Sequence, residues 1–217
     1  MSIDIRDRIT CTAFSSVTSE KEIRASMALS SEQSLRGFVI DNSTYINMLS
    51  DVKEHKNVGI AINFPFQGMT KSATVFSMLE IAEAPKVNDF YISLDKFDVT
   101  RQSLTNIRDF IKETSQITSS RINFAIEYSW INSTETIDKV CSILEPYEKH
   151  GLIISTYCKK PEKLSDVLAV GSHLNSNGSC KYSYFGALPK NKEGVIEILS
   201  SGFVSCAIPK QFLSMII

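Results

Sequence analysis

The stretch "GSCKYSYFG", residues 178–186, sets a lysine, Lys181, inside a short run of the kind that forms a buried strand. A lysine is rarely fully buried unless it is paired or chemically employed. Desolvation favours the neutral amine, and a neutral amine attacks a carbonyl to give a Schiff base. The same lysine paired with an inward carboxylate, Asp41 or Glu127, would instead be structural, because ion pairs perturb lysines too. Glu127 closes the apolar run "INFAIE". A carboxylate there serves as an acid or base, or holds Lys181 or a backbone donor in place. Asp89, Asp95 and Asp98 flank another apolar run and read as a loop entry as much as a site.

Other chemistries find less support. His55, His150 and His173 lie far apart with no i, i+4 pair, so no metal site is expected. The glycines never fall in G-x-G-x-x-G order, and neither a nucleotide loop nor a cofactor is expected. Five scattered cysteines read as free thiols of a cytoplasmic protein. With 23 basic and 24 acidic residues the net charge is −1, which argues against nucleic acid as a partner. No apolar stretch approaches the roughly 18 residues of a membrane span, so no membrane partner is expected. The opening "MSIDIRDRIT" carries alternating charge and is not a signal peptide.

These residues need a scaffold, and the pattern supplies one. Short apolar, β-branched runs recur near Ile9–Ala13, Gly37–Ile40, Val58–Asn63, Phe90–Leu94, Ile122–Glu127, Gly151–Ser155, Ser179–Tyr184 and Phe203–Ala207. Apolar on both faces, they read as parallel strands covered by helices. Amphipathic stretches lie between them at 72–84, 100–115, 133–150 and 161–171. Ser133 or Thr134 caps the third and Pro146 ends it early, while the fourth runs from Pro161 to Gly171. Eight strand–helix units in 217 residues predict one α/β domain over 1–217, a single (β/α)8 TIM barrel. A doubly wound open sheet is the alternative, since periodicity does not show closure.

Several stretches, in order along nearly the whole chain, resemble the deoxyribose-phosphate aldolases, class I aldolases on a (β/α)8 barrel. "RITCTAFSSVTSEKEI" is similar to that family's Ile-Asp-His-Thr-Leu-Leu-Lys-Pro segment and first helix. "VGIAINFPFQGMTKSATVF" resembles its Gly-Phe-Pro strand end with the following turn and helix. "VNDFYISLD" falls on its Ala-Asp-Glu-Ile-Asp-Met-Val-Ile-Asn strand and "INFAIEYS" on its Lys-Val-Ile-Ile-Glu-Thr strand. "HGLIISTYC" and "CKYSYFGA" take the places of its Val-Lys-Thr-Ser-Thr and Val-Lys-Ala-Ser-Gly-Gly strands.

The resemblance implies a lyase that acts through a Schiff base, and it also shows departures. The Schiff-base lysine of the sixth strand falls on Ile154, its partner aspartate on Tyr91, the first-strand Asp-His pair on Thr10-Cys11 and the fifth-strand lysine on Asn123. The seventh-strand lysine is kept as Lys181, with Ser183 at the matching spacing. The phosphate turns read Ser183-Tyr184-Phe185 and "AIPKQ", where bulk and Pro209 remove backbone donors, so a phosphosugar is not expected. One expectation is therefore aldol or retro-aldol chemistry on a small carbonyl compound. Lys181 would be the nucleophile, with Tyr91 and Glu127 beside it, and Asp41, Thr12, Asn123, Ile154, Ser155 and Ser183 around the substrate. The other is a pseudoenzyme, a silent aldolase-like barrel kept for binding or regulation. The apolar end "FLSMII" reads as a last helix sealing the barrel bottom or as a homodimer contact.

Overall fold

The eight apolar runs become eight strands: β1 (Ile9–Thr12), β2 (Gly37–Asp41), β3 (Val58–Ile62), β4 (Val87–Ser93), β5 (Arg121–Glu127), β6 (Gly151–Ser155), β7 (Tyr182–Phe185) and β8 (Cys206–Pro209). They pair in chain order, all parallel, and β8 returns to β1, so the sheet closes into the expected (β/α)8 barrel. The computed structural model describes residues 4–14, 18–52, 55, 57–65, 67–82, 87–158, 163–177 and 180–217.

Among these residues the helices are α1 (Glu20–Glu32), α2 (Asn42–Asn47), α3 (Leu49–Val52), α4 (Lys71–Ile81), α5 (Lys96–Thr100), α6 (Leu104–Ile117), α7 (Thr134–Leu144), α8 (Leu164–Asn177), α9 (Lys192–Ser200) and α10 (Lys210–Leu213). Their ends follow local chemistry. Ser19 and Glu22 form a reciprocal capping box on α1, and the Thr70 hydroxyl accepts from the Ala73 N–H at 3.2 Å to start α4. Pro146 stands just past α7, which stops at Leu144 as its sequence requires. On α6 the buried residues Ile107, Phe110, Ile111 and Thr114 recur at helical spacing and form one stripe against the strands.

Because successive strand residues face opposite ways, the core has two layers. Ile9, Cys11, Ile40, Ile60, Phe90, Phe124 and Ile154 face the helices, where each buried large side chain contributes about 1.5–3 kcal/mol. Val39, Ala61, Tyr91, Ala125, Ile153, Phe185 and Ala207 face into the barrel.

Several boundaries differ from the sequence reading. The seventh strand starts at Tyr182, not Ser179, which lies outside the described residues, so Lys181 precedes the strand. The eighth starts at Cys206, three residues later than read, since Phe203 packs outward between the rings of Tyr182 and Tyr184. The last two residues of the 72–84 stretch and Pro161 also lie outside the described residues. Gly171 does not end its helix, because α8 continues to Asn177. Its bare Cα instead admits Phe203, whose ring would lie 2.6 Å from a Cβ there. The C-terminal tail does not seal the barrel bottom. It follows the C-terminal end of β8 and buries Leu213 and Ile216 in the layer between strands and helices.

Candidate functional site

In barrels of this kind chemistry belongs at the C-terminal ends of the strands. Glu127, the last residue of β5, is buried there and accepts from the Ser155 hydroxyl at 2.6 Å and from the Cys158 N–H at 3.1 Å. Asp41 ends β2 as the cap of α2, accepting from the Thr44 N–H at 2.8 Å and the Ser43 hydroxyl at 2.6 Å. The Thr12 hydroxyl is buried at the end of β1 and has no partner among the described residues.

Aromatic rings fill the axis at this end. The Phe64 and Phe185 rings meet edge-on at 4.6 Å, Tyr157 lies 5.4 Å from Phe185, and Phe14 lies 6.1 Å from Phe185 and 6.2 Å from Tyr157. Phe14, Phe64 and Phe185 are buried. Edge-to-face packing of this kind holds the rings in place. A cavity of about 300 Å³ does lie at this end, off the axis, lined by Asn63, Lys71, Ser93 and Asp95.

The N-terminal end is the reverse. The inward residues that open β2, β3 and β6 are glycines, Gly37, Gly59 and Gly151. Layers of a barrel are ordinarily filled by bulky branched side chains. Here the space stays open as a cavity of about 570 Å³, lined by Thr10, Arg36, Gly37, Gly59, Asp89, Tyr91, Arg121, Lys149 and Lys181 among others. Arg121 holds Asp89 through two bonds of 2.5 and 2.7 Å. The Tyr91 ring crosses the floor over Gly59, where a Cβ would sit 2.7 Å from it. Burial, then the Asp89 charge, pushes its hydroxyl far above the ordinary phenol range. Burial thus favours the protonated phenol.

The expected site residues thus divide between two ends. Lys181 is exposed at the N-terminal rim, level with Gly151, whereas Glu127 is level with Ser155. Four residues of strand separate those levels, about 13 Å. The expectation of a buried, mid-strand Lys181 tuned by Glu127 and Asp41 is corrected accordingly: the lysine precedes its strand and both carboxylates stand at the far end. Tyr91 does share the cavity with Lys181. Asn123 sits between the ends, its side-chain amide donating to the Phe90 carbonyl at 3.4 Å. Ser183 faces inward and pairs its hydroxyl with Ser205 at 2.9 Å. Ile154 cannot touch a substrate in the barrel, because it faces the helices, and its neighbour Ile153 takes the inward place. A one-residue shift in a strand exchanges its faces, so Ile153 and Ile154 have opposite surroundings.

No protein-family model and no curated protein matches the chain. Solved structures do. The aldolase QR15 superposes with a TM-score of 0.80 at 21% identity, over 95% of this chain and 92% of its own. The tetrameric deoxyribose phosphate aldolase of Aeropyrum pernix gives 0.74 at 12% identity, over 98% and 88%. The chain has the deoxyribose-phosphate aldolase fold. Orotidine 5'-phosphate decarboxylase of Pyrococcus horikoshii, another barrel, follows at 0.62 and 9% identity, over 93% and 89%.

Sequence reasoning missed two features of this aldolase-fold barrel. One is the plug, whose signal is an aromatic two residues past β1, β3 and β6, at Phe14, Phe64 and Tyr157, with Phe185 ending β7. The other is the cationic rim of Arg36, Arg121 and Lys149, around a mouth where the first inward residues of three strands are glycines. Among the described residues no group of His, Cys, Asp and Glu could hold a metal, and no helix is long and apolar enough to cross a membrane.

Proposed function

We propose that this chain is a divergent member of the deoxyribose-phosphate aldolase family that no longer forms a Schiff base inside its barrel and serves as a binding protein. The observation that carries this reading is the direct pairing of Ile153 on β6 with Ser183 on β7. Matching Ser155-Thr156 to the end of the family's Val-Lys-Thr-Ser-Thr strand sets its lysine on Ile153. Matching Gly186 to the first glycine of Val-Lys-Ala-Ser-Gly-Gly sets the second lysine on Ser183. The two matches are made on different strands, and both land on inward residues that are register partners. An alkyl side chain and a neutral hydroxyl cannot condense with a carbonyl to an imine. The aromatic plug agrees, since it occupies the space a substrate would need. Glu127 is engaged in holding Ser155 and the backbone at Cys158, a latch on the turn after β6. The unjoined cysteines suit a reducing cytoplasm.

Borohydride trapping read by intact mass tests this. Acetaldehyde, acetone, dihydroxyacetone and deoxyribose 5-phosphate are each incubated with the protein and reductant. The expected result is no adduct beyond the slow background shared by exposed lysines. A stoichiometric adduct on one lysine overturns the reading. Lys159 and Lys160, which follow β6 in sequence and lie outside the described residues, belong to the mapping, with Met substitutions at each. A second reading, relocated amine chemistry, is favoured by the cavity that Lys181 shares with Tyr91. An adduct lost in Lys181→Met would select it.

A further inference from the structure

The barrel is filled at the end where aldolases work and hollow at the other, and the hollow end is charged. Among the described residues, four cationic side chains, Arg36, Arg121, Lys149 and Lys181, line the N-terminal cavity against one carboxylate, Asp89. Arg121 is taken up by Asp89. Among the described residues Lys149 reaches only the Ser119 carbonyl, at 3.3 Å. The side chains of Arg36 and Lys181 have no acceptor among the described residues. A chain of net charge −1 thus concentrates unneutralised positive charge over one opening. Low-dielectric walls focus such a field on whatever enters. Beneath the cations, Tyr91 and Thr10 are buried and line the same cavity, and burial holds Tyr91 in its protonated form. At about 570 Å³ the space matches the sites that hold small molecules.

We infer that the N-terminal mouth of the barrel binds a small, multiply charged oxyanion, a phosphate ester or a polycarboxylate, between Arg36, Lys149 and Lys181. Its anionic group sits at the rim, where a guanidinium gives paired donors and the two ammonium groups add charge. Its polar body descends toward Tyr91 and Thr10. Gly37, Gly59 and Gly151 keep that shaft open: a Cβ on Gly59 would collide with the Tyr91 ring at 2.7 Å, and one on Gly37 would meet the Asn57 carbonyl at 2.7 Å. This site stands at the opposite end from the aldolase mouth and does not depend on whether that mouth is silent.

Isothermal titration of the full chain with inorganic phosphate, glycerol 3-phosphate, citrate and neutral glucose tests the assignment. At least one of the anions is expected to bind saturably with a Kd below about 1 mM, and glucose is not. Raising NaCl from about 50 to about 500 mM should weaken it several-fold. Arg36→Ala and Lys181→Ala, both changes at solvent-reachable positions, should each weaken it about tenfold, while Lys192→Ala on α9 leaves it unchanged. Preference for glycerol 3-phosphate over citrate, or the reverse, identifies which oxyanion the site takes. No saturable binding of any anion overturns the proposal, as does binding that Arg36→Ala and Lys181→Ala leave intact. Circular dichroism of each variant separates loss of binding from loss of fold. Either failure leaves the Schiff-base reading untouched, because that rests on covalent trapping.

Discussion

His150 shows how a single side chain is fixed by its surroundings. Its Nδ1 accepts the Ile122 N–H at 3.1 Å, so the ring proton sits on Nε2, a buried atom without a partner among the described residues. Burial, then the Lys149 charge, pushes its pKa down to about 4. An unfolded histidine titrates near 6.5, so the unfolded chain binds a proton that the folded one refuses between those values. The stability this residue supplies is therefore complete above about pH 6.5 and falls as pH drops toward 4, by about 2 kcal/mol. Urea unfolding at pH 7 and pH 4.5 measures it. His150→Gln keeps an acceptor for Ile122 but cannot titrate, and its stability should fall less over the same interval. An equal fall in variant and wild type would sink the assignment. None of this was legible in the sequence, where His150 is one of three scattered histidines with no pattern. The face of a strand residue was equally hidden. Ile153 and Ile154 are chemically identical, and only the register decides which one looks into the barrel.

At the scale of elements the sequence was far more informative. Parallel strands covered on both sides read as unbroken apolar runs, so β5 and β6 were recognisable almost to the residue. Ends governed by proline and capping residues were also readable, as at α7. Ends governed by packing were not: Gly171 looks like a helix stop and is instead a point of close approach. Contacts between elements are hidden in the same way. Cys141 on α7 and Cys180 just before β7 are distant in sequence, yet their sulfurs stand 2.7 Å apart. A disulfide of about 2.05 Å needs little further approach. Treatment with hydrogen peroxide should join them, the two thiol hydrogens and two electrons reducing peroxide to two waters. Non-reducing peptide mapping is expected to find the 141–180 link ahead of any involving Cys11 or Cys206, because Cys180 is partly exposed to the oxidant and already neighbours Cys141, whereas Cys11 and Cys206 are both fully buried. If peroxide joins other pairs first, or only sulfinic acids form, the two sulfurs are not neighbours in solution.

For the whole molecule, the barrel interior is two compartments rather than one. The plug of Phe14, Phe64, Tyr157 and Phe185 is apolar and closed; the N-terminal shaft is polar and open. Between them lie Asn123, Ala125 and Ile153, small or alkyl except for one amide bound to the Phe90 carbonyl. No charged chain of contacts crosses from Glu127 to Lys181 among these residues. Sites more than about 10 Å apart without shared partners respond additively, to within about 0.5 kcal/mol. Phe185→Leu removes plug contacts and should cost about 1–2 kcal/mol, by the transfer and cavity terms that follow truncation of a buried ring. Arg36→Ala, on the solvent side of the shaft, should cost under about 0.5 kcal/mol. Their double variant is expected to lose the sum of the two, measured by urea unfolding of all four proteins. Phe185→Leu should also leave oxyanion affinity within about twofold of wild type, since the ring stands a strand's length from the rim. A coupling energy above about 1 kcal/mol would mean that the interior transmits packing changes end to end, and the filled mouth would then be controlling the hollow one.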